Sequence, residues 1–185
     1  MNIKKTNYIV FSRRSIASKN NIKIDNTILE PVDKIKFLGV ILNSHLTWGD
    51  HIKFISTKIA KNIGILYKIQ NKIPKNTLVN LYFTLVHPYY EYCNIVWAAD
   101  HTSALETLIR SQKKAIRIIS HSKRNAHTEE IFKRLKILNI HQLNKFQLAC
   151  FVYKSVNKLL PPQFNNIFNL NNKLHSYDTR HATKY

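Results

Sequence analysis

The side chains of this chain best able to do chemistry are its acids, its histidines and its rows of cations. Their spacing separates them. The acids are Asp25, Asp33, Asp50, Asp100, Asp178, Glu30, Glu91, Glu106, Glu129 and Glu130. No two aspartates are neighbours, and a two-metal site needs several carboxylates converging on one point. Glu129 and Glu130 do adjoin, but at a helix start, where negative charge suits the backbone dipole. Nine histidines invite a zinc site, yet His121 and His127 lie six apart with neither Cys93 nor Cys150 near them, so no finger spacing is met. The three glycines, Gly39, Gly49 and Gly64, are too scattered for a phosphate-cradling loop. Two cationic groups remain: Lys58, Lys61, Lys68 and Lys72, and then Arg110, Lys113, Lys114 and Arg117. Their chemistry is either contact with phosphate oxygens or plain solvation of a helix face. Arg13-Arg14 is a lesser candidate of the same kind. Tyr82, Tyr89, Tyr90 and Tyr92 either stack on bases or pack a core.

The composition favours a polyanionic partner. The chain of 185 residues carries 29 Lys and Arg against 10 Asp and Glu, a formal charge of +19. That much like charge repels itself in a compact state. Residues 1–100 hold 14 basic and 6 acidic side chains (+8), and residues 101–185 hold 15 and 4 (+11), so the charge belongs to a folded surface and not to a tail. At 44% apolar residues, the chain can build one core or two small ones. Cys93 and Cys150 fall in apolar stretches read as helix, which implies buried free thiols. The order of residues at the N-terminus is not that of a signal peptide, and no uncharged run reaches the ~20 residues of a membrane span. A soluble intracellular protein without membrane contact is expected.

The elements that must hold these groups change character near residue 50. NYIVFS (7–12) reads as a strand. IKIDNTIL (22–29) alternates about Asp25-Asn26 and reads as a hairpin. KIKFLGVIL (34–42) alternates and then turns wholly apolar, which predicts one strand buried on both faces at its end. A turn follows at Trp48, with His51 close behind. From there the apolar period is 3.6. Ile52, Ile55, Ile59, Ile63 and Leu66 share one stripe of a helix over 51–71, and at ~100° per residue the four lysines gather opposite. Pro74 opens a second helix over 76–87, and aromatic-rich 89–97 follows, read as buried. Ser103 and Glu106 make a capping box for a helix over 103–120 whose stripe is Leu105, Leu108, Ile109, Ile116 and Ile119. Shorter and longer helices are expected over 128–135 and 141–160, the last halted by Pro161-Pro162. The fold class is therefore α+β: a small antiparallel sheet followed by a helical bundle.

Several stretches, in order, resemble one family. NIKKTNYIVFS, FLGVILNSHLTWGDHI, IPKNTLVNLYFTLVHPYYEYCNIVW, QKKAIRIIS, AHTEEIFKRLKILNI and SYDTR are together similar to the C-terminal part of reverse transcriptases of non-LTR, jockey-like retrotransposons. The resemblance implies a palm remnant with a primer-grip-like strand (1–50), thumb-like helices (51–100), a further helical segment (101–162) and an irregular tail (163–185). Asn2, Lys5 and Thr6 match an element in which a lysine is held to protonate the departing pyrophosphate; alternatively Lys5 is a solvated lysine near the terminus. Phe37, Leu38 and Gly39 match the primer grip, with Gly39 bare so that another backbone can come close. Trp48 and His51 either touch a primer strand or anchor the turn on the first helix.

The departure from the family is the metal site. Reverse transcriptases hold two Mg²⁺ on aspartates of an A-D-D turn and an earlier strand, and this sequence starts just after that turn would lie. The resemblance thus implies a fragment that grips RNA and DNA as primer–template and lacks the fingers and most of the palm. It would bind no cofactor itself, and Mg²⁺ would serve only the complete polymerase. Its partners would include the missing fingers–palm portion. The competing expectation is a relic without function, or a module reused for general nucleic-acid binding or protein interaction.

Overall fold

Asp25 and Asn26 both take left-handed backbone (φ 45° and 63°), and between them they turn β2 (Lys23–Ile24) into β3 (Thr27–Ile28). Two central residues at positive φ make the turn whose twist suits a two-residue hairpin, so this expected hairpin is present. The computed structural model describes residues 6–12, 21–98, 103–164 and 167–168. Within these residues β1 (Asn7–Tyr8) pairs in parallel with β4 (Glu30–Pro31), and β5 (Lys34–Phe37) pairs antiparallel with β6 (Val40–Asn43). The β part is thus three two-stranded ladders, two antiparallel and one parallel, rather than one antiparallel sheet. Val32 donating to Tyr8 and Ser44 donating to Asp33 each lengthen a ladder, β1–β4 and β5–β6, and the Ser12 amide, donating to the Ser44 carbonyl, joins these two.

The strand expected over 34–42 is instead this β5–β6 hairpin. Leu38 (φ 44°) and Gly39 (φ 85°) form its turn, pairing Phe37 with Val40 and Lys34 with Asn43. The run of apolar letters concealed the turn because only Gly39 is a conventional turn residue. A hairpin tip is solvated, so Phe37 and Leu38 stand 59% and 74% exposed rather than buried.

Seven α-helices follow among the described residues: α1 (Gly49–Ile69), α2 (Lys75–Leu85), α3 (His87–Glu91), α4 (Asn94–Trp97), α5 (Ser103–Ile119), α6 (Glu129–Leu135) and α7 (Ile140–Val156). The fold is α+β with a small β part and a helical bundle. The five apolar residues of the α1 stripe are all buried, each contributing roughly 1.5–3 kcal/mol of transfer free energy. They face the stripe of α5, the helix that α1 packs against most extensively. Tyr82, Tyr90 and Trp97 fill the space between these helices, fully buried.

The helix expected over 76–87 breaks at Val86. His87 and Pro88 start α3 there, since proline suits a first turn. Pro74 lies one residue before α2, as its N-cap. The aromatic stretch 89–97 divides into two short helices because Cys93 takes left-handed backbone (φ 52°) between them. That stretch is not wholly buried, since the break turns Tyr92 outward and Val96 is exposed as well. Cys93 is not helical, and both Cys93 and Cys150 are half-buried rather than buried. The last helix begins one residue earlier than expected, under a reciprocal cap between Asn139 and Gln142, and ends at Val156 rather than 160.

Candidate nucleic-acid interface

The loop after β6 sets where the hairpin stands. Asn43, 8% exposed, is its centre. The Asn43 Nδ2 donates to Thr47 Oγ1 (2.6 Å) and to Asp50 Oδ2 (3.2 Å), and its Oδ1 accepts from the Thr47 amide (2.8 Å). Asp50, in the first turn of α1, also accepts from Lys34 Nζ at 2.7 Å. Its hydrogen bonds from Lys34 and then Asn43 hold this carboxyl below the usual carboxylate range. His51 is 2% exposed, and its Nδ1 accepts from the Ile41 amide of β6 at 3.3 Å. Its ring centroid lies 5.9 Å from that of Trp97. Burial lowers the imidazole pKa, which keeps the ring in the neutral form that an acceptor nitrogen requires. Trp48 is half-buried against the helical core, and its carbonyl accepts from the Ile52 amide as α1 begins. His51 is thus an internal strut of the hairpin–helix joint, and Trp48 caps the same joint.

The far end of the hairpin rests on the α3–α4 break. The Tyr92 hydroxyl donates to the Leu38 carbonyl, and a Cβ placed on Gly39 would lie 3.4 Å from the Tyr92 ring. The close neighbour of Gly39 is this aromatic ring. Phe37, Leu38 and half-exposed Tyr92 (52%) therefore form one apolar projection. Leu38 is an aliphatic side chain in left-handed backbone, which costs an L-residue roughly 1–2 kcal/mol.

The hairpin and the lysine row of α1 share a surface. Phe54 lies on the lysine side of α1, one turn before Lys58. The Lys36 ammonium of β5 sits 5.0 Å from the Phe54 ring centroid, and that of Lys58 sits 5.8 Å away. Both cations meet the ring face at a distance where the quadrupole attracts them. Lys58, Lys61 and Lys68 are exposed along α1, and Lys72 is exposed in the turn just past it. None of the four pairs with an acid among the described residues. The row runs on from the Lys36–Phe54–Lys58 contact.

The second cationic group lies elsewhere. The buried stripe of α5 is turned toward α1, so Arg110, Lys113 and Lys114 are exposed on the side of α5 away from α1. The two rows therefore face different sides of the bundle and do not form one clamp. Arg117 is half-buried, and its Nε donates to the Ala126 carbonyl at 2.9 Å, closing the loop between α5 and α6. Lys5 and Arg13-Arg14 lie outside the described residues.

The tyrosines divide. Tyr82 and Tyr90 are fully buried; burial pushes the Tyr82 phenol up to about 12 and raises that of Tyr90 further. Neither reaches the surface to stack on a base. Sequence reading missed Gln112, a buried hub on the α5 stripe. The Gln112 Nε2 donates to Tyr82 Oη (3.3 Å) and the Leu138 carbonyl (3.1 Å), and its Oε1 accepts from the Ile140 amide (3.1 Å). Its position between Leu108 and Ala115 on an apolar face was the available signal.

Among the described residues no group of three or more His, Cys, Asp or Glu could hold a metal ion, and Asp50 is already engaged by Lys34 and Asn43. Among the described residues, no helix is long and apolar enough to cross a membrane. Comparison with protein-family models, curated proteins and solved structures returns no match.

Proposed function

We propose that the chain is a C-terminal portion of a retrotransposon-type RNA-directed DNA polymerase that holds primer–template nucleic acid and does not itself join nucleotides. The reading rests on the ordered sequence resemblance, and one observation carries it. Leu38 is 74% exposed, in left-handed backbone, at the tip of a hairpin buttressed by Tyr92 and adjoining the α1 lysine row. Folding alone favours Gly, Asn or Asp there. An aliphatic residue at a strained, solvated tip fits a surface made for contact. The lysines supply phosphate contacts, and the tip supplies an apolar contact where a strand ends.

A second reading is a self-standing nucleic-acid-binding module. It is supported by the way α1, α2 and α5 close one core around Trp97 and Tyr82. One experiment separates the two. Primer extension on an RNA template with Mg²⁺ is measured for this chain alone and mixed with a fingers–palm fragment of such a polymerase. The first reading expects no extension alone and extension in the mixture; binding without complementation supports the second. Extension by the chain alone refutes both.

A further inference from the structure

Helix α7 is apolar on two sides, and the fold uses one. On its packed side Ile140 and Leu143 are buried, Asn144 Nδ2 donates to the Asn94 carbonyl (3.2 Å), and Gln147 Nε2 donates to the Glu91 carbonyl (3.1 Å). Further along, Phe151 meets Phe164 edge-on at 5.8 Å, and Ser155 Oγ donates to the Phe164 carbonyl (2.9 Å). The opposite side carries Phe146 (57% exposed), Ala149 (exposed), Tyr153 (62%) and Val156 (37%). These four are spaced three, four and three residues apart, so they form one seam along the helix. No acid occurs between residues 140 and 159, and Lys145 is the one cation beside the seam.

We infer that this seam is an interface between two copies of the chain, in which α7 pairs antiparallel with α7 of the second copy about a two-fold axis at residue 151. The spacing is the reason. Three-four-three reads the same in both directions, so an antiparallel copy lays Tyr153 on Ala149 and Phe146 on Val156. Each layer then sets a large side chain against a smaller one, which lets the seam interdigitate. The same register sets Lys145 opposite Asn157 and Lys154 opposite Leu148, so no lysine meets a lysine. An isologous contact of this kind closes on itself. The stretch that follows the helix in sequence is a poor occupant: residues 169–185 hold Leu170 and Leu174 as their only aliphatic side chains larger than alanine. A partner of opposite charge is not favoured either, because the seam is nearly uncharged. The +19 on each copy opposes association at long range, so salt strengthens the pairing, the reverse of phosphate binding. None of these residues belongs to the nucleic-acid surface, so this inference does not rest on that reading.

Sedimentation velocity of the whole chain at about 0.5 M NaCl, where the Debye length is about 4 Å, tests it. The expected species is a dimer. Ala149→Glu and Tyr153→Lys each place two unpaired charges in the seam and are expected to weaken association more than about a hundredfold, leaving monomers. Both positions are solvated in one copy, so the far-UV spectrum stays that of the parent. An equimolar mixture of the two variants is expected to sediment as a heterodimer. There the carboxylate introduced at position 149 of one copy faces the ammonium introduced at position 153 of the other, and the symmetry-related layer keeps the native pair of Ala149 and Tyr153. Parent chain that stays monomeric, variants that stay dimeric, or a mixture that stays monomeric each overturns the inference.

Discussion

Replacing Lys58 and Lys61 by glutamine should halve the salt dependence of duplex binding without altering the fold. Both side chains are exposed and lack an acidic partner among the described residues, and the Lys58 contact with the Phe54 ring is the one attraction lost, so stability should stay within about 1 kcal/mol of the parent. The α1 row has four such cations, and from Lys58 to Lys68 it spans about 15 Å of helix, enough to follow several phosphates. If each lysine neutralises one phosphate of a DNA duplex, the slope of log K against log salt is about −3.6. Affinity then falls about 150-fold between about 50 and 200 mM salt. With two lysines removed the slope is about −1.8, and the same salt step costs about 12-fold. Fluorescence anisotropy of a labelled duplex across that range reads both slopes. Arg110→Gln with Lys114→Gln is the control, since it removes two cations from the other side of the bundle. An unchanged slope in the Lys58/Lys61 variant, or an equal change in the control, refutes the assignment of binding to the α1 surface.

Three further outcomes follow from the geometry. Leu38→Asn should raise stability by about 1 kcal/mol, because asparagine tolerates left-handed backbone, while weakening duplex binding; thermal melts and anisotropy read the pair, and a gain in both would remove Leu38 from the interface. Gln112→Leu should cost about 2–4 kcal/mol in urea denaturation, since it strands the Tyr82 hydroxyl, the Leu138 carbonyl and the Ile140 amide in the core. His51 should make stability fall in weak acid. Its folded pKa lies below the ordinary 6.5, so its contribution is complete above 6.5 and is lost as pH falls from there toward the folded value. His87, also lowered by burial and facing Glu91, acts with the same sign. The His51 share is therefore the part of the change between pH about 7.5 and about 5.5 that His51→Gln removes, and an identical pH profile in that variant would refute the role.

What the sequence made legible was periodicity. The α1 stripe from Ile52 to Leu66 and the α6 start at Thr128 are where the pattern of letters puts them, because helix burial repeats every 3.6 residues whatever lies beyond. The Asp25-Asn26 turn was legible because its residue types announce positive φ. The Leu38-Gly39 turn was not, since leucine announces the opposite, and the hairpin therefore looked like one strand. Direction in space was illegible as well. The letters of two amphipathic helices do not say how their cationic rows stand relative to each other, and the packing of α5 on α1 turns them apart. Gln112 and His51 shared a third limit: whether a polar residue on an apolar face is buried depends on partners 26 to 30 residues away for Gln112 and ten for His51.

The hairpin joint links these features. The hairpin leans on α1 through Lys34–Asp50, Asn43–Asp50 and Ile41–His51, and its tip leans on Tyr92. Each of these contacts fixes the angle of β5 rather than burying much of it. A tip that is exposed and locally strained keeps its position only if such contacts over-determine it. The joint also sets Lys36 against Phe54, where hairpin and lysine row meet. Protonating His51 removes the acceptor for the Ile41 amide, and a buried imidazolium is disfavoured beside it. Acid should therefore loosen the angle between hairpin and lysine row before it unfolds the bundle, since of the two side-chain contacts from α1 to β6, Asn43–Asp50 and Ile41–His51, only the second is made by a histidine. Duplex affinity, measured at constant salt, should then decline at a higher pH than the helical far-UV signal does. Coincident declines would mean that the hairpin and the bundle form a single cooperative unit.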